Sequence, residues 1–354
     1  MQRRIGTLAL LAGAATTVLA LSACTATPDG GSAGGSTSGG ADIASLVQAD
    51  TKTDISKVED ALGEPKAGDG VKLCYVTRTL ANEFWGYERD GFEKEAKKLG
   101  VKYQTFAVND ESSITEQLDK AQSALNQGCS AILASPISAT ALDTVFKAAL
   151  AKGVPAIVLN DAQGTVPGVV YVGPDASTIG KSAADYIADQ LPDGGQVAMI
   201  EGDPGSSNAQ NRGKGFKAGL AKHPNLDLVA SQTAKWDTNQ AQTIATAMLT
   251  ANPDIKAFYS QNDGMALGVQ SAIDSKGLTG KVILVGTDGI PQAKKQIADG
   301  TYTATVSERP TTEGASGVKA ALWLLDGKQV PAWVDVPAFI IDKQNVSDYA
   351  TGMP

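Results

Sequence analysis

The chain repeats its own plan at a spacing of about 125 residues. Three apolar runs, Val71–Val76, Ala131–Ala134 and Ala156–Leu159, are answered by Gln196–Ile200, Ala257–Tyr259 and Val282–Val285, at offsets of 125, 126 and 126. Between the runs the helical stretches echo too, with Gly91-Phe92 in the first copy and Gly215-Phe216 in the second. Duplication on this scale calls for two similar lobes, and 354 residues suit two lobes with appendages better than one ordinary core. Polar residues follow the matching strands: Asn160-Asp161 in one copy, Thr287-Asp288 in the other. Polar groups at equivalent strand ends of two lobes make a cleft for a small polar ligand.

The rhythm within each copy is strand, helix, strand, helix. Strand 71–76 leads to helix 85–99, strand 103–108 to helix 113–127 and strand 131–134 to helix 139–152, after which strand 156–159 runs into a crossing segment. The second copy reads as strands 196–200, 227–232, 257–259 and 282–285, alternating with helices 209–222, 239–251, 265–276 and 290–298. Strand 303–307, helix 311–325 and a closing strand around 334–341 complete it. Short apolar strands alternating with helices predict an α/β fold with parallel sheets covered on both faces.

Composition removes several chemistries. The formal charge of −8 argues against nucleic acid as a partner. His223 is the whole histidine supply, which excludes histidine triads and multi-histidine metal sites, so neither a cofactor nor a metal is expected. At the N-terminus Arg3-Arg4 precede an apolar stretch, 5–21, and then Ser22-Ala23-Cys24. Leu21-Ser22-Ala23-Cys24 resembles the bacterial lipobox, which implies a signal peptide over 1–23 and acylation of Cys24; the competing readings are a membrane anchor or a plain secretory signal. Residues 24–70 are expected as a tether, Gly/Ser-rich to Gly40 and then interrupted by Gly63, Pro65 and Gly68, with at most a short helix at 55–62. Cys74 and Cys129 lie on or beside strands that are neighbours in a doubly wound sheet; a disulfide and two separate buried thiols are both compatible with that placement.

Ligands in open α/β sheets bind beyond the carboxyl ends of the strands. The residues there are Arg78, Asn82, Phe84, Trp85, Ser135, Asn160 and Asp161 in the first copy. The second supplies Gln210, Trp236, Asn262, Asp288 and Glu308. Carboxylates accept, amides do both and arginine donates in a fork, while the aromatic rings offer flat apolar faces. A pyranose or polyol, with hydroxyls at its edge and C–H surface above and below, needs that mixture. Each residue has a plainer use: the asparagines as turn or cap residues, the tryptophans as core, Arg78 as a solvated charge.

Asn82-Glu83-Phe84-Trp85 followed by Gly91-Phe92, the string from Gln261 to Gly268, and Val285-Gly286-Thr287-Asp288-Gly289 resemble the periplasmic sugar-binding protein family of the ribose-binding type. The resemblance runs from about Val71 to Ile341. It implies two Rossmann-like lobes of the type I periplasmic binding protein fold, joined by a three-segment hinge. The lobes would be 71–173 with 309–335, and 174–308 with 336–345, hinged near Gly173-Pro174, Glu308-Arg309 and Val334–Pro337. It further implies a monomeric, non-enzymatic binding protein, lipid-anchored outside the cytoplasmic membrane, that closes on a monosaccharide or polyol and delivers it to ABC permease subunits. The family pattern differs at several cleft positions. It has Ser at Arg78, Asn at Ser135, Asp-Arg at Asn160-Asp161, Arg at Gln210 and Gln at Glu308, as though the cleft arginine had moved between lobes. These departures point away from ribose itself and towards another pentose, a hexose or a sugar alcohol.

Three other functions share parts of this pattern. A repressor would need an N-terminal helix-turn-helix where the signal and tether stand. A glycosidase would use Asp161 and Asp288 as its carboxylate pair. A receptor for a furanosyl signalling molecule would differ only in its ligand.

Overall fold

The computed structural model describes residues 42–161 and 166–353. The signal peptide, Cys24 and the Gly/Ser-rich stretch lie outside the described residues.

The strands form two sheets, one per lobe. The first-lobe strands are β1 (Val47–Asp54), β2 (Lys72–Thr77), β3 (Lys102–Ala107), β4 (Ala131–Ala134), β5 (Ala156–Leu159), β6 (Val170–Gly173) and β12 (Val330–Asp335), ordered β1-β12-β6-β5-β4-β2-β3. The second sheet holds β7 (Gly195–Glu201), β8 (Leu226–Thr233), β9 (Ile255–Ser260), β10 (Ile283–Asp288), β11 (Ala304–Ser307) and β13 (Phe339–Asp342), ordered β13-β11-β10-β9-β7-β8. All neighbours pair in parallel except β11 and β13.

Both faces of each sheet are packed. Along β2, Leu73 and Tyr75 enter one buried cluster and Cys74 and Val76 the opposite one, the period-2 alternation of a strand. Burying each such large side chain contributes roughly 1.5–3 kcal/mol. Cys74 and Cys129 are joined by a disulfide across the β2–β4 neighbours, their Cα atoms 5.8 Å apart, which decides the alternative left open by the sequence.

The repeated Gly-Phe pairs have a packing cause. Gly91, on α2 (Glu83–Lys98), meets α10 (Pro310–Leu325) so closely that a Cβ would overlap the carbonyl of Thr311. Gly215, on α6 (Ser207–Leu220), meets α5 (Ala176–Gln190) in the same way at Ser177. Phe92 and Phe216, one residue on, are fully buried. Each lobe thus locks one helix pair by close backbone approach.

Three expectations need correction. The tether over 24–70 is too long: residues 43–46 form a 3-10 turn, β1 pairs in parallel with β12, and α1 (Ile55–Leu62) buries Ile55 and Val58. The polar β1 sequence shows no apolar alternation because the strand is an edge on which Val47 alone is buried. The crossing segment after β5 contains β6, four buried residues too short to show a period, and α5, whose core stripe is built largely of alanine and isoleucine. The single closing strand is two: β12 joins the first sheet and β13 the second, with Pro337 between them, a residue that cannot donate to a ladder.

The chain passes between sheets after β6, after β11 and after β12. The crossings bring the carboxyl ends of both parallel sheets to one cleft.

Candidate functional site

A small, tightly closed cavity lies between the lobes. It is lined by Arg78, Asn82, Phe84, Trp85, Glu111, Asn160, Asp161, Asn208, Arg212, Trp236, Asn262, Asp288 and Glu308. Ten of the twelve residues singled out in the sequence therefore converge on one space; Ser135 and Gln210 do not.

The first-lobe wall grows from β2 and the start of α2. Asn82 caps α2, its Oδ1 accepting from Phe84 N at 3.1 Å, while its Nδ2 donates to Glu111 Oε1 at 3.1 Å. The cap and cleft uses of this asparagine are one arrangement, because the cap occupies only the oxygen. The first turn of α2 then turns Phe84 and Trp85 inward, where they join the apolar cluster of the second lobe. Trp85 Nε1 donates to Glu111 Oε1 at 2.8 Å. The Arg78 guanidinium lies over the Trp85 ring, 4.7 Å from its centroid, a cation–π contact that holds both planes.

The second-lobe wall is Trp236, between β8 and α7 (Thr238–Ala251). Its indole lies on Gly202 so closely that any Cβ at 202 would overlap the ring. Asn262 caps α8 (Asp263–Ser275), Oδ1 accepting from Met265 N at 2.9 Å, and lines the cavity as well. Three cavity residues hold positive φ: Asn160 at 61°, Trp236 at 67° and Asp288 at 121°. Non-glycine residues in that region are uncommon and cluster at functional sites.

Each cleft arginine pairs with an acid of its own lobe, and asparagines bridge the cleft. Arg212 donates to Gln261 O at 2.7 Å and to Glu308 Oε1. Asn160 Nδ2 donates to Glu308 Oε2 at 2.8 Å and to Glu313 Oε2 at 3.1 Å, and Asn208 Nδ2 donates to Asn160 Oδ1 at 2.8 Å. Burial raises the Glu308 carboxyl above its ordinary range, with Arg212 pulling the other way. Asp288 is pushed well above its ordinary range, first by burial and then by Asp263 and Glu308. Its carboxylate accepts one long bond among the described residues, from Asp263 N at 3.4 Å, and otherwise faces the cavity.

Ser135 is turned into the first lobe. Its hydroxyl donates to Glu88 Oε2 at 2.6 Å and sits 2.8 Å from Tyr75 Oη, because the polar group found a partner beneath the sheet end instead of in the cleft. Gln210 is exposed and donates to Pro204 O at 2.7 Å. The inward face of α6 is Asn208 and Arg212, one turn apart, and position 210 points away. This also overturns the expectation that the cleft arginine had moved between lobes: each lobe supplies one, Arg78 and Arg212. Glu111, in the loop after β3, also lines the cavity, and its place beyond a strand end is the sequence signal that finds it.

Comparison with known proteins agrees with this architecture. The periplasmic binding protein domain pattern matches residues 73–329. The D-allose-binding periplasmic protein of Escherichia coli strain K12 is 39% identical over 258 residues, 70% of this chain and 82% of that one. An ABC transporter periplasmic solute binding protein of Actinobacillus succinogenes, solved with bound D-allose, superposes with a TM-score of 0.76 at 29% identity, covering 79% of this chain and 100% of that one. The Caulobacter myo-inositol binding protein bound to myo-inositol gives 0.72 at 29% identity, covering 80% and 97%. With two parallel sheets, three crossings and a polar, aromatic-walled cleft between them, the chain belongs to the periplasmic binding protein domain family.

Proposed function

We propose that this chain is the extracytoplasmic substrate-binding lipoprotein of an ABC importer and binds a neutral monosaccharide or sugar alcohol between its lobes. The observation that carries the reading is one cavity lined by two indoles, Trp85 and Trp236, together with acceptors and donors. A ring of C–H bonds edged by hydroxyls fits such a space: the indoles cover its faces, and Asp288, Asn262, Asn160 and Arg212 meet its edge. The four cavity carboxylates, Glu111, Asp161, Asp288 and Glu308, against two arginines disfavour an anionic ligand such as a sugar acid or phosphate. Relatives that bind D-allose and myo-inositol have a ligand of this class in the same fold. The lipobox-like Leu21-Ser22-Ala23-Cys24 supports an anchored protein that hands its ligand to permease subunits.

The test is a thermal-shift screen against aldopentoses, aldohexoses, inositols and linear polyols, with gluconate and ribose 5-phosphate as anionic controls. A binder present at 100 times its Kd adds about 2.7 kcal/mol of stability. A preference for the anionic set would sink the proposal. Cys24→Ser should abolish incorporation of labelled palmitate; retained label would remove the lipoprotein part.

A further inference from the structure

Asp161 was expected to accept hydroxyls from the ligand, but protein donors already surround it. Its Oδ2 receives Arg78 Nη2 at 2.6 Å and Ser206 Oγ at 2.6 Å; its Oδ1 receives Asn208 N at 3.0 Å and the hydroxyl of Ser207. A carboxylate offers about four lone-pair sites, so these four donors fill it. Arg78 belongs to the first lobe, as Asp161 does. Ser206, Ser207 and Asn208 belong to the second, at the start of α6. Ser206 is itself the cap of that helix, its Oγ accepting from Ala209 N at 3.2 Å. The Asp161 carboxylate therefore sits on the positive end of a helix from the opposite lobe and supplies a second cap to it. Asp161 is 1% exposed, which makes each of these charge-assisted bonds stronger than it would be in water.

We infer that Asp161 is a positioning residue that clasps the lobes together through the start of α6, and that it sets affinity by the stability of the closed form instead of by touching the ligand. This rests on the sugar-binding reading only for its second measurement. The clasp has a consequence for selectivity. A ligand contact discriminates among sugars, whereas a lobe-to-lobe contact multiplies the affinity for all of them by one factor, since it changes only the fraction of closed protein.

The experiment uses the purified full chain with one spin label on each lobe, measured first without sugar. Asp161→Asn and Ser207→Ala should each lower the short-distance population by at least about threefold, and Ser207→Thr, which keeps the hydroxyl, should restore it. Distance distributions that match wild type in both variants overturn the clasp. The second measurement is the Kd for D-allose, D-ribose and myo-inositol. Asp161→Asn should weaken every sugar that wild type binds by one common factor, about tenfold, chiefly through faster release. A loss confined to one sugar, and missing for its deoxy analogue, makes Asp161 a ligand acceptor and also overturns the clasp. If wild type binds none of the three, the sugar reading is in trouble while the sugar-free distances still decide the clasp.

Discussion

Asp161 and Asp288 hold equivalent places in the two halves of the repeat, each just beyond or at the end of a matching strand, β5 and β10. Their surroundings differ. Among the described residues Asp161 accepts from four protein donors, three of them from the other lobe, while Asp288 accepts one long bond and looks into the cavity. Duplication delivers a carboxylate to each side of a cleft, and the neighbouring loop then decides whether that carboxylate serves the guest or the host. For Asp161 the deciding neighbours are Ser206, Ser207 and Asn208, which reach across. Among the described residues no such set of donors reaches Asp288.

The largest effect should come from the aromatic walls. Trp236 is half-buried and rests on Gly202, so Trp236→Ala should cost about 2–4 kcal/mol of sugar affinity by calorimetry while leaving the melting temperature nearly unchanged. Trp85 is 5% exposed within an apolar cluster, so Trp85→Ala should lower both affinity and melting temperature. Equal stability losses from the two substitutions would erase this difference between the walls.

The first lobe alone carries a disulfide among the described residues. Replacing Cys74 and Cys129 by serine should cost about 2–4 kcal/mol in denaturant unfolding. The first lobe should then open before the second, giving two transitions in place of one. A single unshifted transition would mean that the bond adds nothing to that lobe.

Asp288→Ala should weaken binding by about 1.5–3 kcal/mol, and by unequal factors for different sugars, since a hydrogen-bonding carboxyl facing the guest is removed. A uniform factor like that expected for Asp161→Asn would make the two acids alike after all.

The smallest effect concerns protons. Burial lifts Glu88, in the first lobe, from an ordinary value near 4.5 to about 7. Between those values the folded chain holds a proton that the unfolded chain has released. The associated stability is present below the unfolded value and is lost as pH rises through about 7. The stability of wild type relative to Glu88→Gln should therefore fall by about 1–3 kcal/mol between pH 4.5 and 8. A flat difference would show Glu88 titrating as an ordinary carboxylate. In the second lobe, burial lifts Asp263 to about 6, but backbone donors from Gly289 and Ile290 offset part of the shift.

The halves were legible in the sequence to different depths. Strands such as Ala131–Ala134 and Ala156–Leu159 stand where their apolar runs stand, because buried parallel strands read as continuous hydrophobic blocks. The strand-end rule collected most of the cavity for the same reason. It could not collect Arg212, which reaches the cleft from the second turn of α6, nor rank Gln210 below it without the phase of that helix. It also could not tell a carboxylate already surrounded from one left open, since that depends on loops brought together only by the fold. The edge strand β1 was invisible to hydrophobic periodicity because its pairing is carried by backbone, with polar side chains outward.

That edge strand has a mechanical meaning. β1 lies beside β12, so the first of the described strands is seamed to one of the last, and Lys52 near its far end ties Asp335 to Asp175, the cap of the first helix beyond the opening crossing. A load entering along β1 is therefore shared between β12 in the first lobe and, through Lys52–Asp175, the first helix of the second, so the seam braces the crossing itself.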